Sequence, residues 1–323
     1  MRNNALDAVK LLACFFIMVV HVGNYNELPA LYGDLFRVSS RWALPFFFLS
    51  SGYLMGMAKE LDVGRKLNRL VSILFYSSII YIPIIYRAVG GNIEKLIGKV
   101  ISADTLHGGT FFHLWFISAL ILGVVLTNYM LKNVSLRWSL FIAFLIIIGC
   151  WYGDLIKSLG YKIYIFYPLR TLIAFSLVYL GFILAKTNAL SMIKNSISVF
   201  VIILGIMAMI TEVYLMHRFY GADMNERQFP LMCVPVSVFL LALSVNINIK
   251  DNLISRLGKD FSLGVYLIHP FLLYIAVHDV GYFIAQNSSV KLVSCFVISI
   301  FILIFAKRYV PLVYRKINGI GVH

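Results

Sequence analysis

The sequence is poor in charge. Asp, Glu, Lys and Arg make up 13% of its 323 residues, about half the share of an ordinary soluble domain. Acids are the scarcer sign, with 14 Asp and Glu against 28 Lys and Arg. There are four cysteines, Cys14, Cys150, Cys233 and Cys295, each inside an apolar run and none in a CxxC or Cys/His ligand spacing. A disulfide scaffold is thereby excluded, and the four thiols read as small buried hydrophobes that say nothing of redox compartment. The chain lacks short alternating segments, which excludes a membrane β-barrel. It also lacks a Walker A loop, a GxSxG elbow, and HExxH or HxxxH pairs, which argues against P-loop, serine-hydrolase and zincin chemistry and for no metal.

What the chain does have is apolar length. Hydrophobic residues reach 61% and the mean hydropathy is +0.87. A soluble fold cannot hide that much apolar surface. Ten apolar segments are legible, at about 5–23, 38–58, 70–86, 112–131, 138–153, 167–185, 196–216, 230–247, 262–278 and 290–306. Each approaches the ~20 residues that a spanning helix needs. The expected fold is all-α: a polytopic membrane helix bundle of about ten transmembrane helices, forming one integral-membrane domain over 1–323. The N-terminus does not read as a signal peptide, because Asp7, Lys10 and His21 interrupt its apolar run.

Placing the N-terminus in the cytoplasm puts 16 Lys and Arg in cytoplasmic segments and 11 in outer ones, with Lys10 inside the first helix. The bias is modest, and it favours both termini cytoplasmic. In a soluble protein a net charge of +14 would suggest nucleic acid. Here basic loops hold topology and meet anionic headgroups, so the bilayer is the expected partner and nucleic acid is not.

Ionisable groups inside a span cost ~2.5–3.5 kcal/mol each and are functional candidates by default. The first helix carries Asp7, Lys10 and His21. Lys10 and His21 are 11 residues apart, three turns and ~16 Å, on one face. Asp7 lies three residues before Lys10 and can pair with it. One stripe therefore presents a carboxylate and a cation near one end and an imidazole near the other. The plainer reading is a snorkelling lysine and a bonded helix-end histidine.

Histidines gather toward the outer side of this topology: His21, His113 and His278 at helix ends, His107 and His217 in loops. His269 lies about two turns deeper, before Pro270, which leaves a carbonyl without its helical donor. Imidazole suits general acid/base work, since its pKa near ~6.5 lets it take and return a proton. Elsewhere, Pro45 interrupts helix bonding, and Ser51-Gly52 permits close helix approach. Arg65 and Arg69 are i,i+4 neighbours suited to phosphate, or part of an ordinary positive-inside loop. Trp115 fits an interfacial aromatic belt. Arg170, beside Pro168, either binds an anion or snorkels. Glu212 is a second intramembrane acid, or a helix-end residue near His217.

Taken in order, these residues resemble the acyltransferase-3 family of bacterial membrane acyltransferases. The first helix, Leu6-Asp7-Ala8-Val9-Lys10 through Val20-His21, is similar to a family motif with an arginine, ten residues and a histidine. Arg41-Trp42-Ala43-Leu44-Pro45-Phe46-Phe47-Phe48 through Ser51-Gly52-Tyr53-Leu54 looks like its second-helix motif. It is nearest to the branch containing the enterobacterial common antigen O-acetyltransferase. Arg65 and Arg69, His113-Leu114-Trp115-Phe116, Tyr167-Pro168-Leu169-Arg170 and Ser262 through His269-Pro270 also match in order. The resemblance implies transfer of an acyl group, usually acetyl from cytoplasmic acetyl-CoA, to a hydroxyl of a surface glycan or lipid-linked sugar, at the bacterial inner membrane. It makes His21 the acid/base, with Lys10 in the arginine's place and Asp7 beside it. On this basis Arg65, Arg69, Lys10 and Trp115 are expected at the acyl-CoA, and Arg170, His113, His269 and Arg41 at the acceptor. Lysine keeps the charge but loses the planar fork. With no appended esterase-like domain, transfer is expected to finish in the membrane domain. Relatives linked to succinylation, polysaccharide export or amino-acid uptake leave a transporter as the rival reading.

Overall fold

In the computed structural model, residues 3–102, 105, 108–278 and 287–321 are described. Arg2 and His107, counted above, lie outside them, as does the side chain of His278. The described residues form helices and no strand. In chain order these are α1 (Asn4–His21), α2 (Ala30–Ser39), α3 (Ala43–Gly56), α4 (Val63–Ile80), α5 (Ile82–Ala88) and α6 (Ile93–Val100). Then follow α7 (Trp115–Asn133), α8 (Leu136–Ser158), α9 (Phe166–Lys186), α10 (Asn195–Tyr220) and α11 (Cys233–Asn246). The last three are α12 (Leu253–His278), α13 (Ser288–Tyr309) and α14 (Pro311–Ile317).

Each of the ten apolar segments falls on a helical stretch. Six helices among the described residues are long and apolar enough to cross a membrane: α1, α7 with the short turn before it, α8, α9, α10 and α13. The pair α4–α5 passes the same test together but bends by 43°. Pro83, at the start of α5, explains the bend: it lacks an N–H and crowds the carbonyl four residues back. This is a multi-pass membrane helix bundle.

One expectation changes. The segment 38–58 is not a single helix, since α2 ends at Ser39 and α3 begins at Ala43. Pro45 therefore sits in the first turn of α3, where its missing N–H breaks no helical bond. The four cysteines are free and buried.

The core is built from α1, α3, α7, α9 and α12, with α1 against α12 and α3 against α9 as its tightest pairs. Small residues set those distances. A Cβ on Gly52 would lie 2.0 Å from the Val178 carbonyl oxygen, and one on Gly181 would lie 2.1 Å from that of Leu49. On Gly258 it would lie 1.9 Å from the oxygen of Asp7. Backbones touch at these points, as close packing between membrane helices requires. Gly258→Ala is therefore expected to push α12 off α1 and cost about 1–3 kcal/mol, read as a fall in the thermal unfolding midpoint in detergent. An unchanged midpoint would mean that α1 and α12 are farther apart than described.

Candidate active site

α1 places Lys10 and His21 at two different cavities. At the start, Asn3 caps the helix by accepting from the Leu6 amide. Lys10 Nζ lies 3.4 Å from Asp7 Oδ1, the pairing that the i,i+3 spacing implies. Lys10 lines a cavity of about 570 Å³ together with Ser51, Arg65, Lys66, Arg69 and Lys259. Asp7 is buried and does not line it, so its part is to hold Lys10 rather than to meet a substrate.

Arg65 and Arg69 share α4 and both line this cavity, but they are held differently. Asp62 caps α4 by accepting from the Arg65 amide, and its second oxygen lies 3.3 Å from Arg65 Nε on the exposed side. Lys66 and Arg69, one turn apart, turn inward. Lys66 Nζ donates to the Ser51 carbonyl at 3.2 Å, and Arg69 donates to that of Asn318 at 3.3 Å. The sequence pairing of Arg65 with Arg69 overlooked Lys66. Its signature was available: Lys66 shares a helical face with the buried Leu70 and Ile73.

At the other end of α1, His21 lines a second cavity of about 280 Å³ with Arg37, Arg41, His113, Trp115 and Arg170. His21 is exposed to that cavity and makes no hydrogen bond among the described residues. The His269 ring centroid lies 5.5 Å from that of His21, and the His113 centroid lies 6.0 Å from that of His269. The three imidazoles therefore form one cluster at the end of α1, although no group of His, Cys, Asp and Glu among the described residues could hold a metal ion.

Pro270 sets the state of His269. The Tyr266 carbonyl, four residues before the proline, has no helical donor. His269 Nδ1 lies 2.7 Å from that carbonyl and 3.2 Å from that of Val265. A carbonyl only accepts, so Nδ1 carries the proton and Nε2 of the neutral ring is a lone pair. That Nε2 is buried without a partner.

Tyr266 joins the two ends, since it lines both cavities. Its hydroxyl donates to the His113 carbonyl at 2.5 Å, and its ring packs on Phe116 at 5.1 Å. No sequence spacing had singled it out. Trp115 is also placed differently from the expectation. It lines the His21 cavity rather than the basic one, with the Arg170 guanidinium 4.1 Å from its ring centre. The reason is the helix face: Trp115 opens α7 facing the His21 cavity, while Phe116, Ile117 and Leu120 line the basic one.

The wall of the His21 cavity opposite α1 is the segment 221–232, which contributes Asn225, Glu226 and Gln228. Buried charge anchors it. Arg227 is fully buried and donates to Asp154 Oδ2 at 3.0 Å and to Glu212. Asp154 also accepts from the amides of Gln228 and Phe229. Glu212 accepts from Trp151 Nε1 at 2.9 Å and from the Leu231 amide at 2.8 Å. Glu212 is thus a structural anchor rather than a helix-end acid beside His217, whose Nδ1 donates to the Ala222 carbonyl.

A basic cavity and a histidine cavity meeting at one residue suit group transfer from a large anionic donor to a second substrate. Comparison with known proteins gives the family. Residues 3–308 match the acyltransferase domain. The chain belongs to the acyltransferase-3 family. The chain is also 25% identical over 310 residues to an amino-acid racemase of Enterococcus faecalis, covering 88% of the chain and 42% of that protein. It is 23% identical over 300 residues to a serine/alanine racemase of Enterococcus gallinarum, covering 84% of the chain and 41% of that protein. The chain spans less than half the length of these curated relatives. No solved structure matches it.

Proposed function

We propose that this acyltransferase moves an acetyl group from cytoplasmic acetyl-CoA to a hydroxyl of a surface glycan or lipid-linked sugar. It does so through a ten-span bundle with both termini cytoplasmic in the bacterial inner membrane. The observation that carries the reading is the pair of cavities meeting at Tyr266. The basic cavity, about 570 Å³, is within the usual 300–1,000 Å³ of a ligand site. Its Lys66 and Arg69 suit the phosphates of CoA, and Lys10 lies on the way inward. At the far end, His21 takes the proton of the acceptor hydroxyl as that oxygen attacks the thioester carbonyl. The C–S bond breaks, and the proton returns from His21 to the departing thiolate. The His269 Nε2 lone pair beside His21 favours the transient imidazolium. Arg170 supplies positive charge for the tetrahedral oxyanion.

The same two cavities, taken as a path, favour a second reading: a transporter of a small polar solute. Its intramembrane acid is already committed, because Glu212 is saturated by Arg227, Trp151 and Leu231. Release of free CoA separates the readings. Purified protein given labelled acetyl-CoA and a saccharide acceptor is expected to release CoA and label the acceptor. Transport without CoA release would favour the rival. Lys66→Gln and Arg69→Gln are each expected to raise KM for acetyl-CoA about tenfold or more with little change in kcat, since a hydrogen bond to a charged group contributes about 1.5–3 kcal/mol. An unchanged KM in both would move the donor elsewhere.

A further inference from the structure

We infer that the acceptor bound at the His21 cavity carries an anionic group, a sugar carboxylate or a phosphate, next to the hydroxyl that is acylated. The inference rests on the transferase reading above and names its acceptor class. Three guanidinium groups, those of Arg37, Arg41 and Arg170, line this cavity of about 280 Å³. Each is held by neutral partners. Arg37 donates to Asn24 Oδ1 at 3.0 Å and to the Val20 carbonyl at 3.3 Å. Arg41 donates to the Asn225 carbonyl at 2.7 Å. Arg170 lies over Trp115 and reaches Gln228 Oε1 at 3.5 Å. Among the described residues none of the three is ion-paired. Carboxylates act on them only from a distance: Asp34, Asp223 and Glu226 on Arg37, Asp154 and Glu226 on Arg41, and Asp154 on Arg170; the lining carboxylate, Glu226, is itself paired with Lys157. The Nε atoms of Arg37 and Arg41 are buried and unpartnered.

Arg227, next in sequence to the lining Glu226, shows how this protein treats a structural arginine. It is fully buried and is met by two carboxylates. Removing charge from water without an ion-pair partner is costly, so three oriented, part-buried guanidinium groups without a paired carboxylate around a small cavity are a site for an anion. Their forks suit the paired oxygens of carboxylate and phosphate alike. The cavity is smaller than a typical ligand pocket, which fits one residue of a saccharide with its anionic substituent.

The test measures binding and transfer separately, on the full chain in nanodiscs. The probes are methyl β-D-glucuronide, glucose 1-phosphate and the neutral methyl β-D-glucoside. At least one anionic probe is expected to bind tenfold or more tightly than the glucoside, and which one distinguishes carboxylate from phosphate. Arg170→Gln and Arg37→Gln are expected to reduce that preference several-fold, with Arg170→Lys retaining part of it. Equal binding of all three probes, or a preference unchanged in both glutamine variants, would overturn the inference. Tight anion binding without acetyl transfer would sustain the anionic site and sink the transferase reading. Transfer to the glucoside as efficient as to either anion would do the reverse.

Discussion

His21→Ala is expected to lower the proposed acetyl transfer by about two to four orders of magnitude, the usual contribution of a general acid/base, or about 3–5 kcal/mol of barrier. The same variant keeps the wild-type KM for acetyl-CoA and the wild-type unfolding midpoint. Both follow from position. His21 lines the smaller cavity, three turns of α1 away from Lys10 and the basic cavity. It makes no hydrogen bond among the described residues, so its removal orphans no buried partner. Transfer rates measured with the purified variant at saturating donor check the first claim, and thermal unfolding in detergent checks the second. A variant that transfers acetyl at the wild-type rate would remove His21 from the chemistry. A variant that loses rate only through unfolding would make it a packing residue.

Arg227→Met is expected to cost about 3–5 kcal/mol of stability, the usual consequence of removing one partner from a buried ion pair. Asp154 and Glu212 would then face each other's surroundings without their shared cation. The segment 221–232 is tied to both carboxylates through the amides of Gln228, Phe229 and Leu231. Its loosening is expected to raise KM for the acceptor, because Asn225 and Gln228 line the His21 cavity. A triple variant, Arg227→Met with Asp154→Leu and Glu212→Leu, removes all three charges and is expected to recover part of the lost stability. Thermal unfolding of the single and triple variants decides. A neutral single variant would show that the network is not what anchors this segment.

Much of the bundle was legible because a bilayer-facing helix must be apolar along its length. Eight of the ten segments read from hydropathy each fall on one helix, while 38–58 and 70–86 are each divided between two. Where the chain breaks was less visible. The gap between α2 and α3 falls inside one apolar run, and the 43° bend before α5 depends on where Pro83 sits relative to the helix start. Within the site, the face shared by Lys10 and His21 followed from helical geometry alone, as did the pairing of Asp7 with Lys10. The meeting of His21, His113 and His269 did not, because it brings together three distant parts of the chain. Tyr266 was hidden for another reason: a tyrosine at a helical position looks the same whether it lines a cavity or the lipid. Arg227 was counted as a loop cation for topology, since nothing local distinguishes a solvated arginine from one enclosed by Asp154 and Glu212.

The central claim is that donor and acceptor enter from opposite ends and meet beside Tyr266. Proteoliposomes test it most directly, with labelled acetyl-CoA on one side of the membrane and a membrane-impermeant acceptor on the other or on the same side. The account predicts labelled acceptor when the two substrates are on opposite sides, with CoA released on the donor's side. Transfer only when both share one side, and none across the membrane, would contradict it.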